Sequence, residues 1–253
     1  MTERITTGVP GFDELVEGGL PKGSVILLSG SPGTGKTIFC LETLYRGCEL
    51  GEYGIFLSFE QSDQDILSQV DGFSWDLKKH LKSGKLIVKH VDILAEQNIF
   101  DLIKEIVPKN ANSVRLVIDS LTALQNYPAM LRNADRLVGL ITQKQPTTSI
   151  SEDSIRRMLI HYFISALKNL NNTTSLLITD VPDESNLLSS DGISEFMCDG
   201  IISMYFLGLG GENSRNLQVR KMRWTNQKKG FFPFAISKDG VSINADGSSV
   251  LMK

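Results

Sequence analysis

The stretch Gly30-Ser31-Pro32-Gly33-Thr34-Gly35-Lys36-Thr37 decides the fold of this chain. Its spacing, G-x-x-x-x-G-K-T, is that of a phosphate-binding loop, in which glycines let backbone N–H groups turn toward phosphate oxygens. The apolar run at residues 24–29 precedes the loop and predicts a buried parallel strand. The run at 37–44 predicts a helix, because its apolar residues recur with helical spacing. A loop between a strand and a helix N-terminus is the context that phosphate binding requires.

Two side chains of this loop have predicted roles of their own. Lys36 is expected to reach the β- and γ-phosphates of a nucleotide, and the Thr37 hydroxyl is expected to ligate Mg²⁺. The alternative is a glycine-rich turn that only connects a strand to a helix, and the motif and its flanks together disfavour it. The residues predicted here to contact a nucleoside triphosphate are Ser31, Pro32, Gly33, Thr34, Gly35, Lys36, Thr37 and Ile38.

The composition is that of an ordinary globular protein. The chain has 253 residues, of which 41% are hydrophobic and 22% are charged, and its formal net charge is −3. This balance gives no overall indication of nucleic acid or an anionic membrane as a partner. No apolar stretch is long enough to span a membrane and the N-terminus has no signal-peptide core, so we expect an intracellular, cytoplasmic protein. The cysteines lack metal-ligand spacing and are predicted to be reduced thiols: Cys40, Cys48 and Cys198.

Strands and helices alternate through about residue 180, and a run of strands follows. The predicted strands after the loop helix are residues 53–59, 85–90, 114–118, 174–179, 200–207, 217–225, 232–237 and 241–244. The predicted helices are residues 12–17, 62–70, 99–107 and 154–170, with Ser62 as the N-cap of the second. Residues 126–153 are the least regular, and 146–149 are predicted to form a mobile loop.

This alternation predicts an α/β fold in a single domain over residues 1–253. We expect a three-layer architecture, with a mostly parallel central sheet and helices on both of its faces. The C-terminal strands are expected to extend that sheet antiparallel at one edge.

Two carboxylates follow predicted parallel strands, where ligands of open α/β sheets bind. Asp119 comes directly after an apolar strand and is predicted to hold Mg²⁺, directly or through water. Glu60 ends another strand and is predicted to orient, or accept a proton from, the water that attacks the γ-phosphate. The alternatives are a helix-capping or turn aspartate and a solvated acid at a strand end.

With these residues in place, the chain resembles the KaiC-like branch of the RecA superfamily of ATPases. The matching segments are, in order, residues 7–15, 18–23, 30–37, 58–62, 73–77, 118–122, 221–225 and 230–234. The segments after the phosphate-binding loop are weak individually, and their order and spacing together carry the resemblance. It implies a RecA-like fold and a ring, usually a hexamer, with ATP bound between subunits.

The resemblance also implies roles for residues near the C-terminus. Lys221 and Arg223 match a lysine and an arginine that reach the γ-phosphate held by the neighbouring subunit, and such cations can act as an arginine finger does. Residues two apart on a strand share a face, which fits a joint role. The alternative is a solvated basic face on an edge strand. The remaining nucleotide contacts implied by the resemblance are Thr225, Ser237 and Lys238.

The chain departs from the family pattern in three respects. Gln61 replaces a second glutamate, so hydrolysis is expected to depend on Glu60 alone and to be slow. Gln227 stands where the clock protein of this family has a histidine near the neighbouring phosphate. The clock protein carries two such domains in tandem and this sequence carries one, so a circadian oscillator role is not expected.

Nucleic acid is predicted to bind weakly or not at all. Residues 180–199 correspond to a candidate DNA-facing loop, and they contain six acidic residues and no lysine or arginine. Residues 126–157 are of mixed charge, including Arg132, Arg136, Lys144, Arg156 and Arg157. Three hypotheses therefore stand: an oligomeric ATPase, a DNA-binding recombinase paralogue, and a nucleotide-gated protein that binds an unknown protein partner with little turnover.

Overall fold

The computed structural model describes residues 2–92, 99–125, 151–182, 187–206 and 215–247. Its strands are β1 (Arg4–Ile5), β2 (Leu20–Pro21), β3 (Val25–Gly30), β4 (Tyr53–Ser58), β5 (Leu86–His90), β6 (Val114–Asp119), β7 (Thr173–Asp180), β8 (Gly200–Phe206), β9 (Arg215–Met222), β10 (Phe232–Ser237) and β11 (Gly240–Ile243). Its α-helices are α1 (Lys36–Glu49), α2 (Asp63–Ser68), α3 (Leu77–Lys82), α4 (Ile99–Ile106), α5 (Leu121–Gln125), α6 (Glu152–Lys168) and α7 (Ser194–Met197), with a 3₁₀ helix at Asp13–Val16.

Nine of these strands form one sheet in the order β11-β10-β9-β8-β3-β7-β6-β4-β5. The six strands from β8 to β5 in this order are parallel, and β9, β10 and β11 add antiparallel at the other side. The predicted mostly parallel sheet with antiparallel C-terminal strands is therefore confirmed. One detail of the prediction is wrong: β8 pairs parallel with β3, so the antiparallel part begins one strand later than expected.

Helices cover both faces of the sheet, because alternate strand residues face opposite sides. On β3, Ile26 and Leu28 join a core that also contains the apolar residues of α1. Val25 and Leu27 face a second core, which is built with α4 and α6. The sheet is thus the middle layer of three, as the sequence predicts.

Most predicted elements lie within a few residues of the observed ones. Ser62 caps α2, since its hydroxyl accepts from the backbone N–H of Asp65 at 3.2 Å. Helix α3 and the small β1–β2 pair were not predicted, and the predicted helix at 12–17 is a 3₁₀ helix at Asp13–Val16. Of the irregular stretch predicted at 126–153, residues 126–150 lie outside the described residues, and so does the loop predicted at 146–149.

The sheet has two ends, and they separate the candidate functional residues. We call the carboxyl end the one at which β3, β4, β6 and β7 terminate, and the amino end the opposite one.

The three cysteines are buried and unpaired, as expected. Within the described ranges, no helix is both long and apolar enough to cross a membrane.

Candidate nucleotide-binding site

The phosphate-binding loop leaves β3 at the carboxyl end and leads directly into α1. Gly33 and Gly35 have φ values of 82° and 105°, in the left-handed region that glycine adopts without strain. A side chain at Gly35 would also lie 2.6 Å from Ile236 Cδ1 of β10. The Ser31 hydroxyl is buried and has no hydrogen-bond partner among the described residues. A buried unpartnered hydroxyl in a loop of this shape fits a polar ligand such as a phosphate.

Lys36 is held by its own loop and by a neighbouring strand. Its side chain is only 6% exposed, and Nζ donates to the carbonyl oxygens of Gly30 at 2.7 Å and Ser31 at 2.8 Å. Nζ also lies 2.9 Å from Oδ1 of Asp180, the last residue of β7. Sequence reasoning did not assign Asp180 to this site. The signal was available, because Asp180 follows an apolar strand just as Asp119 does.

The two predicted metal-binding residues lie in contact. The Thr37 hydroxyl donates to Asp119 Oδ2 at 3.0 Å. The pKa of Asp119 is raised to about 6, chiefly by burial and also by the nearby negative charges of Glu60 and Asp180, while the hydrogen bond from Thr37 lowers it. A bound divalent cation would favour the ionised carboxylate, and hydroxyl and carboxylate oxygens are ligands of the kind Mg²⁺ prefers.

The protein offers few ligands beyond these two. Within the described part of the chain, no cluster of three or more histidine, cysteine, aspartate or glutamate residues could hold a metal ion. Mg²⁺ typically binds through one or two protein groups, with waters and substrate phosphates as its other ligands. The pair Thr37–Asp119 therefore fits Mg²⁺ carried with a nucleotide, rather than a metal ion enclosed by protein.

Glu60 lies beside Asp119 at the same end of the sheet. Its side chain is exposed, and Oε1 accepts a hydrogen bond from the Ser120 hydroxyl at 2.6 Å. Gln61, which replaces the second glutamate, accepts at Oε1 from Gln69 Nε2 at 2.6 Å. The amide of Gln61 is thus hydrogen-bonded to the residue after α2. Of the neighbouring residues Glu60 and Gln61, only Glu60 has a carboxylate.

Lys221 and Arg223 lie at the amino end of the sheet. Met222 pairs with Gly200 of β8, which in turn pairs with Ile26 near the start of β3. The phosphate-binding loop follows the other end of β3, roughly 13 Å further along that strand. Neither cation can therefore contact a phosphate held by the loop of its own chain.

The two cations nevertheless converge on one segment. Lys221 Nζ donates to the Cys198 carbonyl at 2.7 Å, and Arg223 Nη1 lies 3.2 Å from Oδ1 of the buried Asp199. Partial burial, followed by the charge of Arg223, lowers the pKa of Lys221. Strand β9 ends at Met222, so Arg223 lies beyond the strand and does not share a strand face with Lys221. Asp199 and the neighbouring Cys198 carbonyl hold the two cations instead.

The other predicted C-terminal contacts divide between the two ends. The Thr225 hydroxyl accepts from Arg4 Nη1 at 3.0 Å, beside the Lys221–Arg223 pair. Ser237 and Lys238 are exposed at the end of β10, on the carboxyl side where the preceding residue contacts Gly35. The structure thus brings Ser237 and Lys238 near the loop of their own chain, and does not bring the other three there.

The acidic segment of residues 180–199 is described only in part. Asp191 accepts from the backbone N–H groups of Ile193 and Ser194, both at 2.7 Å, and so orders the start of α7. Asp183 and Glu184 lie outside the described residues. So do three basic residues of the mixed-charge segment 126–157, namely Arg132, Arg136 and Lys144. Arg157 forms an exposed ion pair with Asp153 at 2.8 Å.

Known proteins resemble this chain over nearly its whole length. A family model described as the KaiC ATPase matches residues 5–248. The circadian clock oscillator protein KaiC of Prochlorococcus marinus subsp. pastoris is 31% identical over 97% of the chain, and that of Parathermosynechococcus lividus is 29% identical over 94%. The chain covers 46% and 41% of these proteins, so it spans less than half of their length. The crystal structure of a KaiC-like protein from Pyrococcus horikoshii matches with a TM-score of 0.77 and 32% identity, over 96% of this chain and 100% of that one.

Proposed function

This chain belongs to the KaiC family of ATPases, and we propose that it is a slow, Mg²⁺-dependent ATPase whose sites lie between the subunits of a homohexameric ring. One observation carries the proposal. The loop, Asp119 and Glu60 meet at the carboxyl end of the sheet, while Lys221 and Arg223 lie together at the amino end. A site that uses all of these residues requires two copies of the chain.

In this proposal the loop binds the phosphates of ATP. Backbone N–H groups of the loop and the N-terminus of α1 face the phosphate oxygens, and Lys36 leaves Asp180 to contact the β- and γ-phosphates. Thr37 and Asp119 hold Mg²⁺, which when bound offsets the negative charge of the phosphates. Ser237 and Lys238, next to the loop in the same chain, contact the nucleotide in cis.

Glu60 acts on the water that attacks the γ-phosphate, giving ADP and inorganic phosphate. Its carboxylate lies beside Asp119, where it can orient that water or accept its proton. Gln61 cannot accept that proton, and its amide is bound to Gln69. A single carboxylate in this position supports slow turnover.

Lys221 and Arg223 act on the nucleotide of the adjacent subunit. Asp199 holds Arg223, and the end of α7 holds Lys221, so both cations are positioned by their own chain before assembly. Two cations placed against a γ-phosphate stabilise the charge that develops as it is transferred. Thr225, beside them, completes the contribution of this chain to its neighbour's site.

The experiment that tests this proposal measures phosphate release from ATP and the mass of the protein in solution, each with and without Mg²⁺–ATP. Lys36→Ala is expected to abolish turnover and Glu60→Gln to reduce it strongly, while Lys78→Ala, at an exposed position of α3, serves as the control. Wild-type turnover in Glu60→Gln would remove Glu60 from its role. A protein that stays monomeric with ATP while hydrolysing it would refute the shared site.

A second candidate function is a nucleotide-gated protein that holds ATP and binds a protein partner with little turnover. The Gln61–Gln69 contact favours it, because the position of the second glutamate carries no charge and its amide oxygen already accepts a hydrogen bond from Gln69. Recovery of intact ATP after long incubation would support this candidate, and steady phosphate release would exclude it. Salt-sensitive binding of single-stranded DNA would instead support the recombinase alternative.

We further propose that residues 1–253 work as one ATPase domain in the cytoplasm. Both the family match and the nine-stranded sheet draw on nearly the whole described chain.

A further inference from the structure

Ser120 is the buried residue that holds Glu60. The Ser120 hydroxyl donates to Glu60 Oε1 at 2.6 Å, and the oxygen of that hydroxyl accepts a hydrogen bond from the backbone N–H of Ala123 at 3.0 Å. Ser120 is fully buried, whereas Glu60 is exposed. An ionised carboxylate can only accept, so the single proton of the hydroxyl points to Glu60. The direction of this hydrogen bond is therefore fixed.

The two carboxylate oxygens of Glu60 have different surroundings. Oε1 is bound to Ser120, whereas Oε2 makes no hydrogen bond or ion pair with any described residue. The backbone of Glu60 is held as well, because its N–H donates to the Ser58 hydroxyl at 3.3 Å. One oxygen is thus anchored in the protein interior, and the other is left for the solvent side.

Ser120 also links this carboxylate to the metal-binding strand. It directly follows Asp119, whose carbonyl accepts from the N–H of Phe59 at 2.7 Å. The side chain of Asp119 therefore contacts Thr37, and the side chain of the following residue, Ser120, contacts Glu60. The two carboxylates are thus linked through consecutive residues, the last residue of β6 and the one after it.

We infer that Ser120 is a positioning residue for ATP hydrolysis, which fixes Glu60 Oε1 so that Oε2 faces the attacking water. The inference rests on the proposed function, because it assigns Ser120 a part in the role of Glu60. A purely structural role is the alternative, since the bond from Ala123 N–H caps the start of α5. The two roles predict different couplings between Ser120 and Glu60.

A double-mutant cycle distinguishes the two roles. The rate constant kcat, the KM for ATP and the affinity for ATP are measured for the wild type, Ser120→Ala, Glu60→Ala and the double variant. Positioning predicts that Ser120→Ala lowers kcat by about ten- to a hundredfold and leaves KM and affinity within about twofold. It also predicts that the double variant turns over no more slowly than Glu60→Ala alone.

Ser151→Ala is the matched control for loss of a capping hydroxyl. Ser151 caps α6 through the N–H of Ser154, and α6 carries none of the predicted site residues. The control is expected to lose stability and keep its kcat.

Two results would overturn the inference: a wild-type kcat in Ser120→Ala, or a Ser120→Ala effect of the same size with and without Glu60. Failure of the proposed function is separate, because it shows as wild-type turnover in Glu60→Ala, whatever the result at Ser120.

Discussion

Lys36 Nζ lies 2.9 Å from Asp180 Oδ1 at the carboxyl end of the sheet, so the ammonium group proposed for phosphate binding is already paired with a carboxylate. A phosphate that contacts Lys36 must compete with this ion pair. Asp180 also adds a negative charge close to the place where the phosphates are proposed to bind. The Lys36–Asp180 pair therefore opposes nucleotide binding while it satisfies a lysine that is only 6% exposed.

We expect Asp180→Asn to bind ATP more tightly than the wild type, by about three- to tenfold, because the competing charge is removed. Isothermal titration of ATP and ADP with Mg²⁺ measures the change. Asp71→Asn removes an exposed carboxylate elsewhere and is expected to leave the affinity unchanged. Weaker binding in Asp180→Asn would instead assign Asp180 to the binding of the metal or nucleotide.

The raised pKa of Asp119 predicts how Mg²⁺ binding depends on pH. Burial raises this pKa from 3.8 to about 6, and the cation binds the ionised carboxylate. The affinity for Mg²⁺ in the presence of ATP is therefore expected to fall by about tenfold per unit of pH below 6 and to level off above it. Titrations of Mg²⁺ between pH 5 and 8 test this, and Asp119→Asn is expected to remove both the binding and its pH dependence.

The same pKa predicts the sign of a stability change in the protein without nucleotide. As the pH rises from about 4 to 6, the unfolded chain loses this proton before the folded chain does. The folded state then binds more protons, so the contribution of Asp119 to the free energy of unfolding falls across this window. Urea unfolding of the wild type and Asp119→Asn at both pH values isolates this contribution, and a wild-type protein that gains more stability than the variant would contradict it.

The sequence predicts the carboxyl end of the sheet well, because local signals define it. The loop, the start of α1 and the acids after two apolar strands all follow from short stretches of sequence. Asp180 was missed as a partner of Lys36 because their contact depends on β7 pairing in register with β3. That pairing joins residues about 150 positions apart and has no local signal.

The amino end of the sheet was less predictable for a related reason. The family resemblance identified Lys221 and Arg223 as a pair, but only the strand order places them far from the loop. Asp199, which holds Arg223, was read from the sequence as one acid in a repelling segment. Its burial and its ion pairs with two cations arise from the packing of α6 and β9 around it.

Arg115 on β6 provides a test of the scaffold that carries Asp119. Its side chain is fully buried, with Nε 2.5 Å from Glu52 Oε2 and Nη1 donating to the Thr43 carbonyl at 2.7 Å. Arg115→Ala is expected to lower the free energy of unfolding by about 3–5 kcal/mol, because it leaves Glu52 without its partner. Urea denaturation measures this loss. The double variant Arg115→Met with Glu52→Gln is expected to regain much of it, and a double variant as unstable as the single one would contradict the account.

Mixed oligomers test whether Arg223 acts across a subunit boundary. An Arg223→Ala subunit keeps its loop and Glu60, and a Glu60→Gln subunit keeps its Arg223, so neither variant alone can form a complete site. Because the two ends of the sheet are roughly 13 Å apart, a complete site can form only where the loop of the first meets the arginine of the second. In a head-to-tail ring mixed at random in equal amounts, about a quarter of the interfaces have this pairing.

We therefore expect the mixture to recover up to about a quarter of the wild-type rate of phosphate release, while each variant alone is nearly inactive. Arg220→Ala is the matched control, because Arg220 is an exposed arginine on β9, three residues before Arg223, and its side chain bonds only to Gln218 among the described residues. Arg220→Ala alone is expected to keep the wild-type rate. A mixture no more active than its components, although the subunits exchange, would place Arg223 outside the neighbour's site and leave its ion pair with Asp199 as a structural contact.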